Sequence, residues 1–253
     1  MNKKIAIGII PARYASSRLP GKPLADICGL PMVIHVWNAV SRCQKLDEVL
    51  IATDDSRIEI AAREHGAHVV MTPPDLPSGT DRIEAALIMS GKDADIVVNI
   101  QGDEPLIHPG LVDGLILELE NSAADVATAV SVISDFEDLH NPAVVKVVMD
   151  KNHRALYFSR SPVPHYRDRM HDAGIIREFD FYRHIGIYAY EYQALKRFTK
   201  LEQSRLEKAE KLEQLRLLED GAVYRCLITE YESIGIDTAK DLEKVRRIIA
   251  NKK

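Results

Sequence analysis

Residues 5–24 read IAIGIIPARYASSRLPGKPL, an apolar run that leads directly into a basic loop rich in proline and glycine. The apolar part, residues 5–10, is typical of a buried strand. In open α/β sheets, ligands collect beyond the carboxyl ends of the strands. Arg13, Arg18 and Lys22 follow that end, and their charges suit the oxygens of a polyphosphate. The loop is therefore a candidate phosphate site, with a solvated basic surface loop as the alternative.

The loop differs from two common nucleotide-binding motifs. Ser16 stands where a Walker A motif has its first glycine, and Pro23 stands where that motif has Ser or Thr after the lysine. The dinucleotide-binding pattern G-x-G-x-x-G does not occur in the chain either. We therefore expect that a nucleotide is held in some other way.

The composition excludes several classes of protein. The 253 residues carry a formal net charge of −5, with 46% apolar and 28% charged residues, which is ordinary for a soluble globular protein. A negative net charge argues against general nucleic-acid binding, which needs a basic face. No apolar run approaches the roughly 20 residues that span a bilayer, and residues 5–10 are too few for a signal peptide. We expect neither a nucleic-acid nor a membrane partner.

The cysteines bear on redox state and on metal binding. Cys28, Cys43 and Cys226 are widely spaced, and no C-x-x-C pair occurs. We therefore expect no disulfide framework and no zinc site. A reducing cytoplasm fits this use of cysteine best.

Short apolar strands alternate with amphipathic helices over the first half of the chain. Strands are predicted at 5–10, 49–53, 69–71 and 96–100, and helices at 32–43, 56–65, 81–90 and 111–120. This alternation is typical of an α/β protein whose mostly parallel sheet is covered by helices on both faces.

The pattern changes at about residue 127. Strands are predicted at 127–132, 144–149, 155–159, 182–190, 223–228 and 235–236, and helices at 205–219 and 238–249. Few helices intervene before residue 200, so hairpin-like pairing is expected there. We expect a single domain, residues 1–253, with a mixed, mostly parallel sheet and a smaller β-rich lobe at about 127–200.

Two carboxylates follow predicted strands at the edge where the basic loop is expected. Asp103 comes just after the strand at 96–100, and Asp237 precedes the last helix. A triphosphate needs a hard divalent ion, and Mg²⁺ usually takes one or two carboxylates plus substrate oxygens and waters. The alternatives are a turn residue for Asp103 and a helix N-cap for Asp237.

The predicted helix at 205–219 places a carboxylate among apolar side chains. At 100° per residue, Glu213 projects on the same face as Leu206, Ala209 and Leu217. A buried carboxylate needs hydrogen-bond donors, a cation or the hydroxyl groups of a ligand. Two interpretations remain open: Glu213 contacts a ligand, or it forms a structural ion pair, for example with an arginine.

Seven segments, taken together and in order, resemble one family. They are residues 10–24, SGTDR at 78–82, QGDEP at 101–105, YFSR at 157–160, RHIGIY at 183–188, LEQLR at 212–216 and GIDT at 235–238. Over nearly its whole length the chain closely resembles the CMP-Kdo synthetases, also called 3-deoxy-manno-octulosonate cytidylyltransferases. CMP-sialic acid synthetases share the IPAR opening but not the continuation RLPGKPL.

The resemblance implies a fold like that of the nucleotide-diphospho-sugar transferases, with a smaller lobe that completes a homodimer. It implies a nucleotidyltransferase that joins CMP from CTP to the anomeric hydroxyl of 3-deoxy-D-manno-octulosonate (Kdo), an eight-carbon acidic sugar. The products are CMP-Kdo and pyrophosphate, and the pathway served is lipopolysaccharide biosynthesis. CTP and Kdo are then the expected substrates and Mg²⁺ the expected cofactor.

The resemblance also assigns residues at the positions that match the motifs. The residues expected to bind CTP are Ala12, Arg13, Arg18, Lys22, Ser78, Gly79, Thr80, Arg82 and Asp103. The residues expected to bind the acid sugar are Gln101, Arg160, His184, Tyr188, Glu213 and Gln214. Asp103 and Asp237 are the expected Mg²⁺ ligands, and with Lys22 they form the expected catalytic set.

Three of the sugar-site residues have simpler interpretations when each is taken alone. Arg160 reads as a surface arginine, His184 as a packed or strand-edge histidine, and Tyr188 as a core residue of a strand. The resemblance alone joins them to Glu213, which could accept hydrogen bonds from sugar hydroxyls. The hypothesis that follows is in-line attack of the anomeric oxygen on the α-phosphorus of CTP, with pyrophosphate leaving.

Four positions depart from the usual pattern of the family. Arg205 and Ala239 stand at helix starts where proline is common and should affect stability more than chemistry. Pro162 and His165, near the expected sugar site, are less usual and leave open a modified octulosonate, such as an amino-substituted one. Another eight- or nine-carbon acid sugar as the substrate, and a non-catalytic nucleotide sensor as the function, also stay open.

Overall fold

The structure is a computed structural model that describes residues 3–15, 19–231 and 234–251. It divides into two compact units, Met1–Ile116 with Ser233–Lys253, and Leu117–Glu232. The second unit contains the range of the predicted β-rich lobe and extends beyond it at both ends. The single-domain description stays a prediction.

The strands and helices are numbered in chain order. The strands are β1 Ala6–Ala12, β2 Asp26–Ile27, β3 Leu30–Pro31, β4 Glu48–Thr53, β5 His68–Met71, β6 Ile96–Asn99, β7 Val126–Val132, β8 Lys146–Met149, β9 Ala155–Ser159, β10 Tyr182–Glu191 and β11 Tyr224–Ile228. The α-helices are α1 Met32–Val40, α2 Ser56–Glu64, α3 Gly79–Ser90, α4 Pro109–Glu120, α5 Phe136–His140, α6 Tyr192–Lys200, α7 Arg205–Glu210, α8 Gln214–Glu219 and α9 Ala239–Ala250.

The first unit contains a parallel sheet with the strand order β6–β1–β4–β5. Its central strand, β1, buries Ile7, Ile9 and Ile10 almost completely, and its neighbours β4 and β6 are also mostly apolar and buried. Strands that read as continuous apolar runs are those covered on both faces, which is the usual environment of a parallel sheet. The predicted α/β class, with a mostly parallel sheet flanked by helices, is confirmed.

The second unit is dominated by antiparallel pairing. Strand β10 pairs antiparallel with β7 and β8, and β8 pairs antiparallel with β9 across a tight connection. Strand β11 pairs parallel with β7. A register shift interrupts the β10–β7 ladder between Ile185 and Tyr188, and such irregularities redirect the side chains that follow them. The predicted change to a β-rich arrangement is confirmed.

The predicted helix at 205–219 is wrong, because the structure contains two short helices there, α7 and α8. Between them Lys211 adopts the left-handed conformation, with φ 54°. The break lets Leu212 and Leu215 become buried while Leu206 stays 37% exposed. A helical pattern of apolar residues cannot reveal such a break, since neither glycine nor proline marks it.

Two further expectations are corrected near the C-terminus. Residues 235–236 form no strand, although Ile236 is fully buried. The last helix begins at Ala239, and its N-cap is Thr238. Among the described residues, no helix combines the length and the apolar content that crossing a membrane requires.

The left-handed residue offers a test of the break. Lys211→Gly should raise the free energy of unfolding by about 0.5–1 kcal/mol, because glycine adopts a positive φ without steric cost. Lys208→Gly, inside α7 and also exposed, is the matched control and should lower it by about 0.5–1 kcal/mol. Urea unfolding of both variants measures the difference. A continuous helix through residue 211 would make both substitutions equally destabilising.

Candidate active site

The end of β1 holds the first of the predicted phosphate-binding residues. Ala12 is buried in the strand, and Arg13 follows it. The Arg13 guanidinium donates to the carbonyl oxygen of Leu76 and, at 3.4 Å, to that of Ser78. Arg18 lies outside the described residues. The structure thus brings Arg13 to the segment that precedes α3.

Helix α3 begins beside this strand end. Ser78 is its N-cap: the hydroxyl accepts the Asp81 backbone N–H at 3.1 Å and donates to the Asp81 carboxylate at 2.6 Å. A Cβ at Gly79 would lie 3.6 Å from the Pro11 ring, and Thr80 is buried. Three residues that we expect around the nucleotide therefore lie together at the helix start.

Arg82, one turn into α3, has a different environment. Its side chain is fully buried and donates to the Thr72 hydroxyl at 2.5 Å and to the Asp54 carboxylate at 2.8 Å. Desolvation lowers the pKa of Arg82, and the Asp54 charge opposes that effect. These contacts tie α3 to the residues just after β4 and β5. The nucleotide-binding role of Arg82 stays a prediction.

Lys22 lies between the two predicted metal ligands. Its Nζ is 2.5 Å from Asp103 Oδ2 and 3.1 Å from Asp237 Oδ1, and its side chain is only 15% exposed. The lysine starts a single 3-10 turn, Lys22–Leu24, directly after Gly21. Gly21 has φ 69°, and a Cβ there would meet the Tyr14 ring at 3.1 Å, so glycine is required to turn the chain toward the carboxylates.

Backbone contacts place the two carboxylates. A Cβ at Gly102 would lie 2.9 Å from the carbonyl oxygen of Pro11, so only glycine allows this turn to approach β1. The carbonyl oxygen of Asp103 accepts the N–H of Ile236 at 3.0 Å. Ile236 is buried in a cluster that includes Leu242 of α9. The segment before α9 is therefore held against the turn after β6, which brings Asp237 to Asp103.

The structure distinguishes between the alternative interpretations of the two aspartates. Thr238 caps α9 through a reciprocal capping box with Asp241, so the interpretation of Asp237 as the N-cap is wrong. Asp103 does lie in a turn after Gly102. Its carboxylate nevertheless bonds Lys22, so the turn and the charged site are compatible.

A cavity of about 320 Å³ lies at this strand edge. Among the residues that line it are Arg13, Lys22, Gln101, Asp103 and Asp237. With Ala12, which also lines the cavity, the structure therefore brings together six of the predicted site residues within the first unit, two cations and two carboxylates among them. Such a mixture suits an anionic ligand accompanied by a cation.

The donor set at this cavity can be compared with what a divalent ion requires. No group of three or more His, Cys, Asp or Glu side chains able to hold a metal occurs among the described residues. The two aspartates already converge on one cation, the Lys22 ammonium. Two carboxylates completed by substrate oxygens and waters are a common Mg²⁺ environment. The residues present fit the expected ion.

In the second unit, Arg160 follows β9. Its Nε donates to the Glu210 carbonyl at 2.7 Å, its Nη1 to that of Pro142 at 2.9 Å, and its Nη2 to that of Lys211 at 3.3 Å. Arg160 is half-buried, and three backbone carbonyl groups hold its guanidinium, so it is more restricted than a freely solvated surface arginine. Its role toward a sugar stays a prediction.

Strand β10 carries His184 and Tyr188. His184 Nε2 lies 2.8 Å from the Thr128 hydroxyl, which donates at 2.8 Å to the carbonyl of Ile187. The Thr128 hydroxyl has a single proton, which it donates to Ile187. The hydrogen bond to His184 is therefore donated by the Nε2–H of the histidine, and Nδ1 is the ring nitrogen that keeps a lone pair. Burial lowers the pKa of His184 to about 3. Burial, together with Tyr190 and Glu213, raises the pKa of Tyr188 well above 10.

The structure corrects the expected environment of Glu213. Its side chain is exposed just before α8, because the break at Lys211 turns it away from the apolar face. The buried ion pair is formed by Glu207 and Arg216 instead, with two contacts of 2.7 and 2.8 Å. Gln214 is buried, and its backbone carbonyl oxygen accepts a hydrogen bond from the Tyr224 hydroxyl at 3.0 Å.

The sequence analysis gave no role to Lys146, Glu207 or Glu210, although each is buried or hydrogen-bonded in the second unit. Lys146 stands within the apolar run 144–149, and a charge inside a buried strand is a signal that could have marked it. Glu207 and Glu210 carry no such signal, because both stand in a segment rich in exposed charges.

A parallel sheet with cations and paired carboxylates beyond its strand ends defines a nucleotide-binding α/β protein. Comparison with known proteins narrows this class. The cytidylyltransferase family profile matches residues 7–234. The chain belongs to the cytidylyltransferase family.

Individual relatives are similar over nearly the whole chain. A 3-deoxy-manno-octulosonate cytidylyltransferase of Parabacteroides distasonis is 48% identical over 250 residues, covering 97% of this chain and 98% of that protein. One of Geobacter sulfurreducens is 49% identical over 245 residues, covering 94% and 96%. The solved structure of a CMP:2-keto-3-deoxy-manno-octonic acid synthetase complexed with CTP is 42% identical, with a TM-score of 0.90, covering 98% of this chain and 100% of that one.

The lowered pKa of His184 gives a test by pH. Below pH 6.5 His184 becomes protonated in the unfolded state but stays neutral in the folded state. The free energy of unfolding therefore falls as the pH drops from 6.5 toward 3. The loss should reach up to about 1.4 kcal/mol per pH unit in that window. In His184→Gln, whose amide can still donate to Thr128, the free energy of unfolding should fall less steeply. Urea unfolding at pH 6.5, 5.5 and 4.5 compares the slopes, and equal slopes would contradict the assignment.

Proposed function

We propose that the protein transfers CMP from CTP to the anomeric hydroxyl of Kdo, giving CMP-Kdo and pyrophosphate. The observation that carries the proposal is Lys22 bonded to Asp103 and Asp237 in a cavity at the end of β1. The relatives named above as 3-deoxy-manno-octulosonate cytidylyltransferases support the sugar, and the related synthetase solved with CTP supports the nucleotide.

The triphosphate is bound at the basic end of β1. Arg13 and Lys22 supply positive charge beside the cavity. Arg18 is included because it stands in the same basic loop of the sequence. The N-terminus of α3, at Ser78 and Gly79, adds backbone N–H groups at the same strand end. Cations and helix N-termini are the usual partners of phosphate oxygens.

The acid sugar is bound by residues of matching chemistry. Arg160 supplies a cation for the sugar carboxylate. His184 offers the Nδ1 lone pair to a sugar hydroxyl, since its Nε2–H is bonded to Thr128. Glu213, whose side chain is exposed, supplies a carboxylate that can accept hydrogen bonds from sugar hydroxyls. Gln101, Tyr188 and Gln214 complete the set by resemblance to the family.

Asp103 and Asp237 hold Mg²⁺ in this proposal. When bound, that ion neutralises phosphate charge and lowers the pKa of the attacking hydroxyl. Lys22 stabilises negative charge on the phosphates while the bond to pyrophosphate breaks, and Arg13 holds the triphosphate in place. Because both substrates are anions, positioning and charge neutralisation supply most of the acceleration.

The proposal extends to the setting in which the enzyme works. We place it in the cytoplasm, in lipopolysaccharide biosynthesis, because Cys28, Cys43 and Cys226 are free thiols suited to a reducing compartment.

We also propose that the protein is a homodimer. Leu156, 59% exposed, and Phe179, 41% exposed, are apolar side chains of the second unit that suit an interface. Sedimentation velocity measures the oligomeric state, and a monomer at micromolar concentration would contradict it.

The reaction is tested by pyrophosphate release from CTP and Mg²⁺, with and without Kdo. Release should require both CTP and Kdo, and ATP, GTP and UTP should not replace CTP. A panel of eight- and nine-carbon acid sugars, including an amino-substituted octulosonate, tests the choice of sugar. Tight CTP binding without release from any sugar would instead indicate a nucleotide sensor.

The paired aspartates allow a sharper test. Asp103→Asn and Asp237→Asn should each lower kcat by about 100-fold or more, because each removes a charged oxygen from the metal site. Asp93→Asn is the matched control, since Asp93 is exposed before β6, at the other end of that strand, and it should keep full activity. Thermal unfolding should show that all three variants remain folded. Near-normal turnover in either site variant would rule out the metal assignment.

A further inference from the structure

The guanidinium of Arg160 is unusually well anchored for a side chain at a strand end. A guanidinium has five N–H groups. Three of them are used by the carbonyl oxygens of Glu210, Pro142 and Lys211. Within the described part of the chain, one N–H on Nη1 and one on Nη2 have no assigned acceptor. Two guanidinium nitrogens of this kind can bind a carboxylate in a forked arrangement.

The helix break at Lys211 supplies two of those carbonyl oxygens. In a continuous helix the carbonyls of Glu210 and Lys211 would accept the N–H groups four residues further on. Instead the N–H of Leu215 donates to Leu212 at 3.2 Å. The break therefore releases two carbonyl groups, and Arg160 takes both.

The Glu210 side chain holds the backbone on which Arg160 stands. One carboxylate oxygen accepts the Ser159 hydroxyl at 2.7 Å, and the other accepts the backbone N–H of Arg160 at 2.9 Å. Hydrogen bonding to Glu210 also contributes to the raised pKa of Tyr157, after burial and the Glu210 charge. Glu210 thus bonds the end of β9 through its side chain and the guanidinium through its backbone.

Lys146 holds the same backbone from the other side. The lysine is fully buried, and its Nζ donates to the carbonyl oxygens of Arg160 at 2.6 Å, Val144 at 2.7 Å and Asn141 at 3.0 Å. These three bonds use all three ammonium protons. Because they also fix the segment that contains Pro142, Lys146 positions a third acceptor of the guanidinium.

We propose that Glu210 and Lys146 are positioning residues that hold Arg160 ready to bind the carboxylate of the acid sugar. The inference rests on the proposed function, which assigns that carboxylate to Arg160. A cation held in place before binding loses little conformational freedom when the ligand arrives. The fixed guanidinium therefore binds a 2-keto acid sugar more tightly than an arginine side chain that is mobile before binding.

Glu210→Ala tests the carboxylate, with Glu210→Gln as the matched conservative variant. Glu210→Ala should raise KM for Kdo about tenfold, a change of about 1.4 kcal/mol, with kcat and KM for CTP nearly unchanged. Glu210→Gln should restore most of the loss, since its amide oxygen can accept the Arg160 N–H and its NH₂ can donate to Ser159. Lys146→Met should act in the same direction as Glu210→Ala, provided that thermal unfolding shows it to be folded.

A double-mutant cycle separates positioning from a general structural effect. Arg160→Ala should raise KM for Kdo, and Glu210→Ala added to it should raise KM no further, because Glu210 acts through Arg160. If the rise in KM for Kdo in the double variant equalled the product of the rises in the two single variants, the proposal would be overturned. An equal rise in KM for CTP would also overturn it. No effect of Arg160→Ala would overturn the assignment of Arg160 itself.

A measurement without substrate keeps the inference independent of turnover. The Nε–H signal of Arg160 in ¹⁵N NMR, identified by its loss in Arg160→Lys, should exchange slowly with water in the unmodified protein. It should exchange at least about tenfold faster in Glu210→Ala, as expected when a locally protected group opens more often. Equal exchange would overturn the positioning role, whereas absence of Kdo-dependent pyrophosphate release would overturn the proposed function alone.

Discussion

Three distant segments of the first unit meet at one ammonium group. Asp103 and Asp237 lie 81 and 215 positions beyond Lys22 in the chain. Two carboxylates this close repel each other unless a cation lies between them. Strand β1, the turn after β6 and the segment before α9 must all be placed correctly for that cation to reach both. The rest of this unit can be understood as the framework that meets this requirement.

That framework depends on backbone contacts more than on the charged side chains. Gly102 approaches the Pro11 carbonyl where no other residue would fit, and the Asp103 carbonyl receives the Ile236 N–H. The buried cluster around Ile236 anchors α9 to the same place. The apolar core therefore holds the two carboxylates in place beside the Lys22 ammonium group.

Buried cations occur in both units, and each of three examples is bonded to at least one acceptor. Arg82 bonds Asp54 and Thr72, Arg216 bonds Glu207, and Lys146 bonds three carbonyl oxygens. Leaving such a charge without partners would cost several kcal/mol. These pairs lie next to residues assigned to binding, so the same bonds that make burial tolerable also restrict the positions of neighbouring side chains.

The amino-acid sequence by itself determined the alternation of strands and helices, the position of the basic loop and the segments shared with the cytidylyltransferases. These depend on periodicity and on residue order, which act over a few neighbouring positions. The sequence also predicted the aspartates of the first unit, because each directly follows or precedes a predicted element.

Only the tertiary structure decided which charges meet. The local pattern marks Glu207 as the capping-box partner of Ser204. It does not show that Glu207 is buried against Arg216 or that Glu213 is exposed. The break at Lys211 carries no glycine or proline, and it persists because it buries Leu212 and gives its carbonyl groups to Arg160. Those partners are about 50 residues away along the chain. Contacts over such distances arise from packing, and the pattern of any single segment does not contain them.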